Sequence, residues 1–187
     1  MKLLFENWRN YLNEGMKQPS DLPDGVQVRM IDDGEDIVFK IVSEATGEEP
    51  TQQEQRDKFG RIFGKVWITQ WGLHGDLCSR AFEVRKSEAV SGWGPLLYDL
   101  AMEYATKNGY IVWKKYMDER NDVEKIQLDD LKNTLTPEEA DNCTQMSAQR
   151  WAEKTGGEWN HKPISMLYRK SNSEMTDKLK QQGKLYI

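Results

Sequence analysis

Gly92 and Gly94, one residue apart, stand between a strand-like run (LCSRAFEV) and a helix pattern that opens after Pro95. The chemistry that this spacing offers is anion binding. Glycine lets the backbone approach a ligand closely, and the unpaired N–H groups of a helix's first turn point at it. A tight strand-to-helix turn without a ligand needs the same two glycines, so the motif by itself leaves both readings open. The other groups able to do chemistry are dispersed. Gln127 to Cys143 holds Asp129, Asp130, Glu138, Glu139 and Asp141. Their spacing matches no calcium loop, and the segment reads as a solvated acidic excursion in which Thr136-Pro137-Glu138-Glu139 caps and opens a short helix. His74 and His161 stand alone in loop-like sequence, which suits surface or capping residues. No Ser/His/Asp or Cys/His arrangement has a local signature. No metal site is expected.

A glycine turn of this kind needs a strand before it and a helix after it. Leu96, Leu97, Leu100, Ala101, Tyr104 and Ala105 recur at helical spacing. Pro95 suits the first helical position and Gly109 the position just past the end. Upstream, Val26 to Ile31 and Ile37 to Val42 read as strands joined by the turn Asp32-Asp33-Gly34-Glu35, a hairpin. Glu44 to Arg56 reads as a loop or an exposed helix. Gly64 to Trp71 and Leu77 to Val84 flank Gly72-Leu73-His74-Gly75-Asp76, a second hairpin signal. Tyr110 to Arg120 fits two patterns: a parallel strand beginning YIVW, or a helix with Val112, Trp113, Tyr116 and Met117 on one face. Met146 to Thr155 reads as a helix stopped by Gly156-Gly157. Ile164 to Arg169 reads as a late strand and Ser173 to Gln181 as a polar helix. Trp67, Trp71, Trp93, Trp113, Trp151 and Trp159 suit core and rim positions.

The segment Val84 to Gly109 resembles the acetyl-CoA-binding segment of the GNAT superfamily of N-acetyltransferases. There a strand ends at Val, a loop follows, then Gly-x-Gly and a helix beginning with paired leucines. Val84, Gly92, Gly94, Leu96 and Leu97 fall in those places without a gap. The resemblance implies an α+β (α/β) fold with a central mixed, mostly antiparallel sheet flanked by helices. The β-β-β-β-α order of the first half agrees with it. It implies acetyl-CoA as cofactor, with its pyrophosphate on the amides of Ser91, Gly92, Trp93 and Gly94. It implies Glu83 as the base that takes the acceptor amine's proton, and Tyr116 as the donor to the leaving thiolate. The acceptor would be a small-molecule or peptide amine. Ala89 stands where the superfamily prefers Arg or Gln, and its Asn-x-x-Ala-x-x-x-Tyr pattern is absent.

A narrower resemblance covers GWGPLLYDLAMEYATKNG, VWKKYMDERNDV and QLDDLKNTLTPEEADNC, which are similar to acetyltransferase-like proteins of tailed bacteriophages. It favours the helix for Tyr110 to Arg120, and that is the expectation. In that family a Ser-, Asp- and Arg-rich segment precedes the VW dipeptide; here Tyr110 follows Gly109 at once. The alternative it implies is a catalytically degenerate phage protein, packaged in the virion or binding a host factor. The first residues, MKLLFENWRNYLNEG, place Leu3, Leu4, Trp8, Tyr11 and Leu12 on one helical face. They resemble capsid-targeting peptides trimmed after a Leu-x-Glu or Ile-x-Glu triplet, which Leu12-Asn13-Glu14 and Leu4-Phe5-Glu6 both fit. An ordinary amphipathic helix fits as well. The expected organisation is a segment 1–14, a linker 15–25 with Pro19 and Pro23, and one domain 26–187.

Length and composition bound the rest. A chain of 187 residues can bury a core, and seven Trp, seven Tyr and five Phe exclude a disordered chain. A net charge of −5 argues against nucleic acid or an anionic membrane as partner. No apolar run approaches the ~20 residues of a membrane span. The two cysteines, Cys78 and Cys143, form no framework, and free thiols in a reducing cytoplasm are expected. A sheet edge left by a lost strand would permit a homodimer.

Overall fold

The first hairpin forms as the turn residues dictate. In the computed structural model, which describes residues 17–70, 75–90, 92–112, 121–130, 134, 136–143, 165–170 and 174–187, β1 (Val26–Asp32) pairs antiparallel with β2 (Asp36–Ser43) from Val26↔Ser43 to Asp32↔Ile37. The Gly34 amide donates to Asp32 Oδ1 at 2.9 Å and the Asp36 amide to Asp33 Oδ1 at 2.8 Å. Those side chains occupy the backbone donors that the turn leaves over. Strand periodicity buries Val26 and Val28 on β1 and Ile37, Phe39 and Ile41 on β2.

The remaining elements are helix α1 (Gln52–Glu54), continued by a π-turn over Gln55–Phe59, then β3 (Gly64–Gln70) and β4 (Ala81–Ala89). Helix α2 (Trp93–Asn108), β5 (Tyr110–Val112), β6 (Val123–Asp130) and β7 (Asn142–Cys143) follow. Strand β8 (Ser165–Lys170), α3 (Met175–Gln181) and β9 (Leu185–Tyr186) end the order. The fold is mixed α/β, and the nine described strands form one mixed sheet in the order β7-β6-β8-β5-β4-β3-β2-β1-β9.

The chain makes two compact units. The first comprises residues 1–68, 85–103 and 173–187. Its β1 carries β9 in parallel through Val28↔Leu185 and Arg29↔Tyr186. Residues 17–25, expected as a linker, form a 3-10 turn at Pro19–Asp21 and bury Pro19 and Leu22. The core of this unit includes Val66, Ile68, Leu96, Leu97, Leu100 and Leu179. Each fully buried aliphatic side chain of this size contributes about 1.5–3 kcal/mol.

The second unit comprises residues 69–84 and 104–172. Here β4 pairs parallel with β5 through Ala81↔Tyr110, Phe82↔Ile111 and Glu83↔Val112. Strand β8 runs antiparallel to β5 at Ile111↔Tyr168 and to β6 from Val123↔Lys170 to Leu128↔Ser165. Cys78, Ala81, Leu128, Cys143 and Leu167 form a buried cluster bordered by Leu77, Tyr110 and Ile126.

Several expectations change. Tyr110–Val112 is a strand rather than the start of a helix, because β4 and β8 offer it backbone partners on both sides. Residues 113–120 lie outside the described residues, as do the expected helix Met146–Thr155 and the segment 71–74. Strand β4 begins later and ends later than Leu77–Val84: Cys78–Arg80 is a 3-10 turn, and the strand runs on to Ala89. No helix forms among the described residues of 136–143, and Asp129 and Asp141 are 0% and 8% exposed rather than solvated. Their carboxylates find donors on Thr136 within the fold. The cysteines are not free thiols: Cys78 and Cys143 are joined in a disulfide with a Cα–Cα distance of 6.0 Å. The pairing is tertiary, across a sequence separation of 65, which no local spacing could announce. Gly109 stands just past the end of α2, as expected. Its φ is not positive; instead a Cβ there would collide with the Arg80 carbonyl.

Candidate functional site

The glycine turn lies between the end of β4 and the start of α2, in the first unit. The Val90 amide donates to the Phe63 carbonyl at 3.0 Å, which fixes the end of the strand. The Trp93 amide donates to the Val90 carbonyl at 3.2 Å and closes the turn. Gly92 between them has φ 82°, a conformation that L side chains adopt only under strain. Helix α2 starts at Trp93, so Gly94 and Pro95 occupy its first turn. Proline is tolerated there because first-turn amides have no partner within the helix. From Gly92 to Glu103 every residue is buried, Trp93 to 4% exposure, so α2 is not the one-faced helix its sequence suggests.

Lys17 reaches this turn from upstream. Its amide donates to the Gly92 carbonyl at 3.2 Å, and its Nζ lies 6.0 Å from the Trp93 ring centroid. One helical turn further on, the Tyr98 hydroxyl donates to Ser87 Oγ at 2.8 Å. Burial pushes the Tyr98 phenol above its ordinary value near 10, and the Ser87 hydrogen bond offsets part of that. Of the amides assigned to a pyrophosphate, that of Trp93 is thus engaged within the turn, and the next residue of the helix after Gly94, Pro95, adds no N–H.

The other residues singled out by sequence fall elsewhere. Glu83 and Val84 are half-buried on β4, in the second unit. Ser91 and Tyr116 lie outside the described residues, as do His74 and His161. Among the described residues no group of three or more His, Cys, Asp and Glu side chains is arranged to hold a metal. A cavity of about 340 Å³ in the first unit is lined by Gln52, Gln55, Arg56 and Arg61. Gln55 is committed there to the backbone, donating to the Pro50 carbonyl at 2.9 Å and accepting from the Ile62 amide at 3.3 Å. The Glu54 carboxylate, held below its ordinary 4.5 chiefly by the Thr51 amide, completes a capping box at α1.

Sequence reasoning missed Glu103. Its carboxylate is fully buried and accepts from the amides of Glu174, Met175 and Thr176 at 2.9, 2.7 and 2.8 Å, and from Thr176 Oγ1 at 2.7 Å. It therefore caps the first turn of α3 from another helix, and that helix has no side-chain cap of its own. The signal was present: Glu103 lies on the helical stripe of Leu96 and Leu100, where an acid needs a partner.

No protein-family model, curated protein or solved structure matches the chain. Among the described residues no helix is long and apolar enough to cross a membrane.

Proposed function

We propose that the chain is a GNAT-like protein that binds acetyl-CoA and transfers its acetyl group to an amine. The observation that carries this reading is Gly92, at φ 82° directly between strand β4 and the sixteen-residue helix α2. A backbone turned in this way at a buried helix start is the form that a phosphate cradle takes. In this reading the main chain of Ser91, Gly92, Trp93 and Gly94 holds the pyrophosphate, and Val84 marks the strand beside the thioester arm. The acceptor nitrogen attacks the thioester carbonyl, Glu83 takes its proton, and Tyr116 protonates the departing thiolate. The acceptor is a small-molecule or peptide amine.

A second reading is a catalytically degenerate phage protein on the same fold. The engaged Trp93 amide, the missing N–H of Pro95 and Ala89 at the end of β4 favour it. Titration with acetyl-CoA, followed by calorimetry and by thermal unfolding, separates the two. The enzyme reading expects heat and stabilisation, both lost in Gly92→Val. Neither signal at millimolar acetyl-CoA would sink it and leave the second. For the second reading, mass spectrometry of mature particles should find a chain starting at Gly15. A chain starting at Met1, or none, rejects that trimming.

A further inference from the structure

The loop between β2 and β3, in the first unit, builds a concavity bordered by positive charge. Thr51 caps α1, and the π-turn Gln55–Phe59 widens the turn that follows. Gly60, at φ 70°, then turns the chain back. The Gln55 side chain braces the returning loop, donating to the Pro50 carbonyl at 2.9 Å and accepting from the Ile62 amide at 3.3 Å. Ile62 is buried and anchors the exit. Arg56 and Arg61 thereby border one cavity of about 340 Å³ together with Gln52 and Gln55. The acids of the loop are engaged elsewhere. Glu54 accepts from the Thr51 amide and hydroxyl, which hold its carboxyl below the ordinary 4.5, and Lys58 adds to that effect. Asp57 accepts from Gln53 Nε2. Among the described residues, neither guanidinium has a hydrogen bond or an ion pair, and the Gln52 carboxamide has no partner.

We propose that Arg56, Arg61 and Gln52 form a binding site for the phosphate monoester of a small molecule. Two guanidiniums without a carboxylate match the double negative charge of a phosphomonoester at neutral pH, and each planar fork offers paired N–H donors to its oxygens. A carboxylate would neutralise only one of them. Gln52 adds an uncharged donor. The cavity is at the lower end of ligand-pocket volumes, about 300–1,000 Å³, which suits a small ligand. Because Gln55 already holds the loop at both ends, binding requires little ordering of the backbone. None of the four lining residues belongs to the glycine turn, so the proposal stands apart from the acetyl-CoA reading.

The test is calorimetry on the full chain with glycerol phosphate as the probe, and acetate and sulfate for comparison. Glycerol phosphate should bind saturably at millimolar concentration, and acetate about tenfold more weakly or worse. The second proton of a phosphomonoester leaves near pH ~6, so its binding should tighten between pH ~5 and ~7; sulfate, divalent throughout, should show no such rise. Arg56→Gln and Arg61→Gln should each weaken glycerol phosphate by about tenfold or more at an unchanged Tm, because neither guanidinium holds the fold. Lys58→Gln removes a charge from the same loop but not from the cavity, and should change the affinity by less than about threefold. Absence of saturable binding, or wild-type affinity in both arginine variants, overturns the proposal. So does an equal loss in Lys58→Gln, which would mark attraction to the loop's net charge rather than to the two guanidiniums.

Discussion

Replacing Glu103 by Gln is the sharpest probe of how the first unit holds its last helix. The carboxylate accepts three main-chain amides and one hydroxyl, all between 2.7 and 2.9 Å. Gln is nearly isosteric but keeps only one acceptor oxygen, and its NH2 faces donors. Two hydrogen bonds to charge are lost outright and two weaken. Hydrogen bonds to charged groups contribute about 1.5–3 kcal/mol each, and buried donors left unpaired cost a similar amount. These terms do not add fully within one network, so a net loss of about 2–4 kcal/mol is expected. For a chain of 187 residues an entropy of unfolding of about 2.1 cal/mol/K per residue converts that into a Tm fall of roughly 5–10 °C. Hydrogen exchange should locate the damage: the amides of Glu174, Met175 and Thr176 should exchange faster in Glu103→Gln, while those of the β1–β2 ladder should slow or hasten only with global stability. A Tm within one degree of wild type, with unchanged exchange at 174–176, would refute the claim that Glu103 caps α3.

Two further outcomes follow from the same structure. Cys78–Cys143 closes a loop across a separation of 65, so the chain-entropy relation assigns it about 4 kcal/mol; urea unfolding of Cys78→Ala/Cys143→Ala against the oxidised wild type should show that loss, and two titratable thiols in the denatured, non-reduced wild type would rule the bond out. Tyr98 has its folded-state pKa raised, so its contribution to stability is full below pH ~10 and is lost as pH rises through the folded value; absorbance at ~295 nm should show one tyrosine ionising above the others, and Tyr98→Phe should flatten the alkaline limb of the stability curve.

What was legible in the sequence was whatever two neighbouring residues or one period could state. The hairpin at Asp32–Glu35 was readable because Asp32, Asp33 and Gly34 supply the turn's own hydrogen bonds. The late strand, expected over Ile164 to Arg169, and the polar helix, expected over Ser173 to Gln181, stand at Ser165–Lys170 and Met175–Gln181. The strand-to-helix turn was readable from Gly92, whose φ of 82° is what its glycine identity announced. Tyr110–Val112 was not, because a three-residue strand carries less than one helical turn of pattern. Only its two neighbours, β4 and β8, decide it.

The misread acids and cysteines bear on where function is to be sought. Two of them concerned a polar or sulfur atom whose partner lies far along the chain: Glu103 with Thr176, Cys78 with Cys143. Composition treats an acid as surface unless something local says otherwise, yet Glu103, Asp129 and Asp141 are all buried. A buried acid must be answered by donors or by a cation. Glu103 is answered in full by the α3 amides and the Thr176 hydroxyl, so its role is architectural. Asp141 is answered on Oδ2 by the Thr136 hydroxyl, and its Oδ1 accepts no hydrogen bond. The glycine turn lies between these cases. Its Trp93 amide and Gly92 carbonyl are answered from within by Val90 and Lys17. A pyrophosphate takes amides, not carbonyls, so the Lys17 bond to Gly92 does not compete with it, and the Lys17 ammonium, 6.0 Å from the Trp93 ring, adds positive charge beside the turn. Under the acetyl-CoA reading, Lys17→Ala should therefore weaken acetyl-CoA binding in calorimetry, and equal or tighter binding would show that the Lys17 charge does not assist the turn.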